Sequence, residues 1–172
     1  MLFVNDIACS VPSIDLCLFA HDTSFSLSNK CIKSLEVNSF IKGSQLMQWF
    51  HENNLSVNST KTQFINFKLK NPGRTFTGSS LMIGSDVIES SQHTNFLGLV
   101  IDSKLNFSFH IDKVCSKLSG VMFLLRRLAF FENREVLLSV YFGCFLPHMV
   151  YGLAIWGAES GDHKRVFSFQ LD

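Results

Sequence analysis

Residues 16–27, Leu-Cys-Leu-Phe-Ala-His-Asp-Thr-Ser-Phe-Ser-Leu, constrain the fold more than any other stretch of the chain. An apolar strand runs into a tight turn that carries an acid. A second strand leaves the turn, with Phe25 and Leu27 alternating against Ser24, Ser26 and Ser28. The pattern predicts a β-hairpin over 14–28, its strands 14–20 and 23–28 antiparallel and its Ala20-His21-Asp22 turn exposed. A carboxylate on a rigid turn can hold a divalent metal. The alternative is that Asp22 is a polar turn residue and nothing more.

The rest of the chain falls into a sheet-bearing half and a helical half. Ser28-Asn29 offers an N-cap for a helix over about 30–53, with Asn53-Asn54 ending it and Gly43-Ser44 weakening its middle. Ile65, Phe67 and Leu69 alternate with Asn66 and Lys68, a half-buried strand pattern. Asn71-Pro72-Gly73 marks a turn. Leu81-Met82-Ile83, a Gly84-Ser85-Asp86 turn and Val87-Ile88 make a small hairpin, and Phe96 to Ile101 reads as one further strand. From Ser108 to about Phe131 the apolar residues Ile111, Val114, Leu118, Met122, Leu125 and Ala129 recur at helical spacing. A second helix is expected from about Arg134 to Phe145, and Pro147 restarts a short one to about Trp156. Val166 to Gln170 looks like the first turn of another. The halves meet near Asp102-Ser103-Lys104.

Composition narrows the function classes. The chain has 172 residues, a net charge of +1 and 18 phenylalanines, which suits one domain with a real core. A free-standing nucleic-acid binder is more often strongly basic, so charge alone does not point to nucleic acid. The five cysteines, at 9, 17, 31, 115 and 144, form no CxxC pair. With no secretory pattern after Met1, they read as reduced thiols in the cytoplasm or nucleus. The six histidines are scattered without ligand spacing, and His21 with Asp22 supplies too few ligands for zinc. Leu137 to Gly157 is nearly all apolar and about long enough to span a bilayer. Pro147-His148 in its middle, with Gly143 and Gly152, reads instead as a buried, Pro-broken helix pair, so no membrane is expected.

Several of these segments, in this order and spacing, resemble the reverse transcriptases of non-LTR (LINE-type) retrotransposons. Residues 2–7, Leu-Phe-Val-Asn-Asp-Ile, are similar to the segment leading into the catalytic hairpin. Phe19-Ala20-His21-Asp22 resembles the family's Phe-Ala-Asp-Asp turn, with His21 in place of the first aspartate. Residues 49–62, Trp-Phe-His-Glu-Asn-Asn-Leu-Ser-Val-Asn-Ser-Thr-Lys-Thr, resemble the helix-to-strand junction with its lysine. Phe96-Leu97-Gly98-Leu99-Val100-Ile101-Asp102 resembles the primer-grip strand. Leu125-Arg126-Arg127-Leu128, Leu146 to Gly152 and Trp156-Gly157 resemble the thumb-like helical region.

The resemblance implies an α+β fold. A partial right-hand polymerase palm would cover 1–102, as an antiparallel hairpin and sheet with a helix. A helical thumb-like region, truncated at its C-terminus, would cover 103–172. It also implies two Mg²⁺ ions for nucleotidyl transfer, one aspartate coming from an upstream strand and two from the turn. Here the upstream strand is absent and His21 brings neither charge nor a hard oxygen ligand, so Asp22 is an incomplete metal site and no Mg²⁺ is expected to bind. By the same resemblance Lys61 would neutralise or protonate the leaving pyrophosphate, the alternative being an ordinary exposed lysine after a turn, and Phe96-Leu97-Gly98 would brace the primer end, the alternative being a core strand; Asn58 reads as a residue that shapes the turn. Lys104, Lys113, Lys117, Arg126 and Arg127 would face an RNA/DNA primer-template, weakly; a solvated helix face is the alternative. The expected function is a fragment of a retrotransposon RNA-directed DNA polymerase without catalytic activity. The rival is a repurposed, non-catalytic nucleic-acid-binding or protein-interaction module. A working enzyme would need the missing segment from another chain.

Overall fold

The computed structural model describes residues 6–12, 14–20, 22–67, 80–83, 86–131, 133–157 and 163–169. His21, residues 2–5, the Asn71-Pro72-Gly73 turn and Gly84-Ser85 lie outside them. The fold is mixed α and β, and its contacts divide it into two units. One comprises Met1–Asn66 with Lys70–Ser91, the other Phe67–Leu69 with Gln92–Asp172. The strands pair as three separate two-stranded antiparallel ladders. Among the described residues the expected palm sheet is therefore three hairpins and not one continuous sheet.

In the first unit, helix α1 (Ile7–Ser10) precedes strands β1 (Asp15–Phe19) and β2 (Asp22–Ser26). Asp15 pairs with Ser26, Leu16 with Phe25 and Phe19 with Asp22. Leu16 and Leu18 share one face of β1, as the two-residue side-chain period requires, and Phe25 lies opposite Leu16. All three rest against the buried cluster of Ile7, Val11, Leu46 and Trp49. Helix α2 (Ile32–Glu52) supplies the last two. Its N-cap is Cys31, and Asn29 instead accepts the Cys31 N–H at 3.2 Å in a turn before the helix. At the other end Asn53 donates its backbone N–H (3.1 Å) and its side-chain amide (2.9 Å) to the Trp49 carbonyl. Asn54 follows with φ +55°, a conformation that Asn tolerates better than most residues.

Strands β3 (Ser80–Ile83) and β4 (Asp86–Glu89) form the second hairpin. Gly43 of α2, a weak point for helix propensity, lies where β3 comes close. A Cβ there would stand 3.2 Å from Ile83 Cγ1. The strand expected from Ile65 to Leu69 does not form in its described part, residues 65–67; Phe64 alone makes a bridge, parallel, to Ser90. Residues 65–67 find no partner strand among the described residues.

In the second unit, the run Phe96–Ile101 is not one strand. It is a hairpin of β5 (His93–Phe96) and β6 (Leu99–Asp102) that turns at Leu97-Gly98. Both turn residues have positive φ, +48° and +86°, which matches a two-residue turn of the mirror-image class that tight hairpins favour. The side chain of Asp102 then organises the following loop. Its Oδ1 accepts N–H groups of Lys104 (2.9 Å) and Asn106 (3.3 Å), and its Oδ2 accepts that of Phe107 (2.8 Å). Asp102 is buried, as is Phe107, which enters the core with φ +57° just before helix α3 (Ser108–Ala129). The polar stretch Asp102-Ser103-Lys104 is thus a stitched corner. The contact division falls between Ser91 and Gln92, so β5 and β6 belong with the helices.

Helix α3 buries Ile111, Val114 and Leu118, three positions of one helical face. Against it lies a continuous helical run: α4 (Arg134–Val140), a π-helical stretch Tyr141–Phe145, and α5 (Leu146–Val150). Asn133 caps α4 through its side chain, accepting the Val136 N–H at 3.2 Å. Pro147, which lacks an N–H and cannot sit in a regular helix interior, occupies the first turn of α5, where the widened π turn ends. Helix α6 (Leu153–Trp156) follows Gly152, whose φ is +67°; a Cβ there would meet Leu99 at 2.7 Å. Helix α7 (His163–Ser168) adds Val166 to the core.

The apolar run from Arg134 to Trp156, mean hydropathy 1.6, is by length and composition able to cross a membrane. It is not the buried pair its sequence suggests. Only 11% of its most apolar window is buried, because Phe145, Met149 and Trp156 face α3 while Leu138, Phe142, Val150, Tyr151 and Ile155 are exposed.

Candidate functional site

Asp22 is the residue on which metal chemistry would depend. The two-residue connection Ala20-His21 places it at the first ladder position of β2, one step past the tip, opposite Phe19. Ala20 takes φ +53° to close the turn. The Asp22 side chain is exposed, and so is Phe19 across the ladder. Among the described residues no group of three or more His, Cys, Asp or Glu side chains is arranged to hold a metal ion.

Lys61 lies in a turn built by Asn58. The Asn58 Oδ1 accepts the Thr60 N–H (3.1 Å), the Thr60 hydroxyl (2.6 Å) and the Lys61 N–H (3.3 Å). Its carbonyl accepts the Thr62 hydroxyl at 2.9 Å. Asn58 shapes the turn, as its residue type suggests, and Lys61 is exposed on it.

The segment Phe96-Leu97-Gly98 is a turn and not a strand, so its backbone is presented at the tip of a hairpin. The Leu97 carbonyl accepts the Tyr151 hydroxyl. Gly98 is where the Tyr151 ring comes close: a Cβ there would stand 3.2 Å from Cε1.

The helix cations do not form one stripe. At about 100° per residue, Lys113, Lys117 and Arg127 fall within an arc of about 80° on α3, and Arg126 points to roughly the opposite side. Lys113 donates to the Asn95 side chain at 3.0 Å. The Arg127 guanidinium lies over the Phe123 ring, 5.3 Å from its centroid, a contact that suits a cation on an aromatic face. Arg165 pairs with Asp112 at 2.9 Å.

One residue that matters here has no sequence motif. His110 is 4% exposed, and its Nδ1 accepts the Val100 N–H at 3.3 Å. A neutral imidazole that accepts at Nδ1 carries its proton at Nε2. That Nε2 is buried and has no hydrogen-bond partner among the described residues. Burial, with the ammonium groups of Lys113 and Lys117, holds its pKa below the usual 6.5. The only sequence signal is its place one residue before Ile111 on the α3 core face.

Over 161 residues the chain is 23% identical to a Drosophila melanogaster protein described as "Probable RNA-directed DNA polymerase from transposon X-element". The match takes in 90% of this chain and 17% of that protein, so the chain spans about a sixth of its relative's length. No family model and no solved structure matches. The chain is thus distantly similar to a transposon-encoded RNA-directed DNA polymerase.

Proposed function

We propose that this chain is a segment of a retrotransposon reverse transcriptase, the C-terminal palm followed by a thumb-like helical region, and that alone it does not polymerise. The similarity along 90% of the chain to a transposon RNA-directed DNA polymerase carries the family reading. The chemistry carries the inactivity. Two-metal nucleotidyl transfer needs several carboxylates converging on two Mg²⁺ ions. In this chain the turn offers Asp22, beside a histidine at position 21. Losing even one interaction aimed at transition-state charge costs about 10²–10³ in rate.

Primer extension tests this on the purified chain, on His21→Asp and on Asp22→Ala, with Mg²⁺ or Mn²⁺ and a primed RNA template. All three should be silent. His21→Asp should regain extension only when an upstream palm and fingers segment is supplied with it. Extension by the unmodified chain that vanishes in Asp22→Ala overturns the inactive reading. The second reading, a non-catalytic nucleic-acid-binding module, is favoured by Lys113, Lys117 and Arg127 sharing one side of α3.

A further inference from the structure

Helix α3 buries one face, and the opposite face carries a second pattern that the core does not use. Phe109, Ser116, Phe123 and Phe130 follow one another at seven-residue steps, the spacing of a helix–helix seam. Asp112, Ser119, Gly120 and Arg127 fill the turns between them. At about 100° per residue all of these positions fall within an arc of about 100°. Every one of them is exposed; Phe109, Phe123 and Phe130 are exposed to 46%, 62% and 86%. Two of the rings are held in place already. Phe109 stacks on His93 at 4.6 Å, and the Arg127 guanidinium lies over Phe123. At the middle of the face a Cβ on Gly120 would meet nothing within 4 Å, so a neighbouring helix has room to come close there.

We propose that this face of α3 pairs with the same face of a second copy of the chain, antiparallel, about a two-fold axis between Ser119 and Gly120. The pattern is complementary to itself when turned end over end, as an isologous contact requires. In that register Phe109 of one copy meets Phe130 of the other, and Phe123 meets the small Ser116. Ser119 and Gly120 meet at the axis, where the backbones are closest. Asp112 comes level with Arg127, so each end of the seam sets an acid against a base. Of the other cations at that level, Arg126 adds to the pull on Asp112, and Lys113 is turned aside to Asn95 at 3.0 Å. Asp112 also pairs with Arg165 in its own copy, but both side chains are more than half exposed, and an exposed pair of this kind holds its partners weakly. At about 150–250 Å² per ring, the exposed parts of Phe109, Phe123 and Phe130 amount to about 300–500 Å² in each copy. A standard interface takes about 800 Å² from each partner, so the pair is a reversible dimer and not an obligate one. The assignment rests on the α3 face and not on the polymerase reading.

Sedimentation velocity on the full chain, over a concentration series into the high micromolar range, should show a reversible monomer–dimer equilibrium and no larger species. Gly120→Glu is the first variant. Its side chain meets nothing in its own copy, and Glu forms helix better than Gly, so the monomer should keep its far-UV spectrum. Two carboxylates then meet near the axis, and the dimer should be lost. Charge reversal is the second. Asp112→Arg is felt twice in an isologous contact and should weaken the dimer about ten-fold, the scale of one charge-assisted bond. Asp112→Arg combined with Arg127→Asp restores opposite charges at both ends and should return the parent's affinity, a rescue that unspecific sticking of apolar surface does not give. A monomer at every concentration overturns the proposal and leaves the face to another occupant, such as the phosphates of a polynucleotide. Association that survives Gly120→Glu, that grows past the dimer, or that the double substitution fails to rescue overturns it as well. None of these outcomes bears on primer extension by the parent chain, so the two readings fall separately.

Discussion

In the first unit the described core cluster is four residues, Ile7, Val11, Leu46 and Trp49. In the second it is ten, drawn from β6, the loop before α3, α3 itself, the π stretch, α5, α6 and α7. The residue best suited to metal chemistry, Asp22, is on the sparser unit, on an exposed ladder beside an exposed Phe19. The buried polar groups, Asp102 and His110, are on the denser one. A polar group can be buried only where its hydrogen bonds are supplied. Asp102 receives three backbone N–H groups; His110 receives one and leaves one donor over. The difference teaches where to look for function in this chain. The hairpin is conspicuous in sequence but presents Asp22 on an exposed ladder, whereas the helical unit buries its polar groups against backbone donors.

The largest effect should come from emptying the denser core. Trp156 is fully buried, its indole N–H donating to the Tyr151 carbonyl at 2.8 Å. Trp156→Ala should cost about 3–5 kcal/mol, measured by guanidinium denaturation followed by circular dichroism. Trp49→Ala should cost less, since a four-residue cluster beside half-buried neighbours can collapse into the gap. Equal losses would break the contrast between the units.

Next comes the corner at Asp102. Asp102→Ala removes the acceptor for three N–H groups, of which that of Phe107 is within the core. The loss should be about 1–3 kcal/mol, seen as a lower Tm. Asp102→Asn, which keeps one oxygen acceptor, should recover part of it. In the sparser unit the matching experiment is Asn58→Ala. That turn is solvent-exposed, and water replaces the lost bonds, so the cost should be about 0.5–1.5 kcal/mol. A loss there as large as at Asp102 would mean that the exposed turn is held as tightly as the buried corner.

Much of this was legible in the residues, and the misreadings have physical causes. Helix α3 is plain because Ile111, Val114 and Leu118 keep one face without a breaker. The β1–β2 hairpin is plain because an apolar run, Leu16 to Phe19, meets a short polar turn and Phe25 then alternates with Ser24 and Ser26. The β5–β6 turn was hidden because Leu97 sits at a positive φ, where Asn or Asp is the usual signal. An apolar run through Phe96 to Ile101 therefore looks like one strand. The Arg134–Trp156 run reads as buried because periodicity says which faces are apolar, not whether a partner covers them. The Asp102 corner and the His110 donor were invisible for another reason. Each depends on backbone N–H groups brought to a side chain by the fold, and no spacing rule records that.

The smallest effect is a pH dependence, and it sharpens the contrast because it belongs to the denser unit. His110 is buried neutral, its pKa lowered from 6.5 first by burial and then by Lys113 and Lys117. The wall of a cavity that His110 shares with His148 and Tyr151 carries no carboxylate to offset them. The unfolded chain therefore binds a proton at this site at a higher pH than the folded one does. Stability rises with pH wherever the unfolded state binds more protons. The contribution of His110 is thus complete above about 6.5 and is lost as pH falls from there toward its folded value, below which it changes no further. The chain has five other histidines, so the measurement is a difference: unfolding free energy from pH 8 to 5 for the parent, minus that for His110→Asn. The parent should lose more stability on acidification. A parent and variant that lose stability in parallel would place His110 in a wetter and less positive surrounding than its burial beside Lys113 and Lys117 gives.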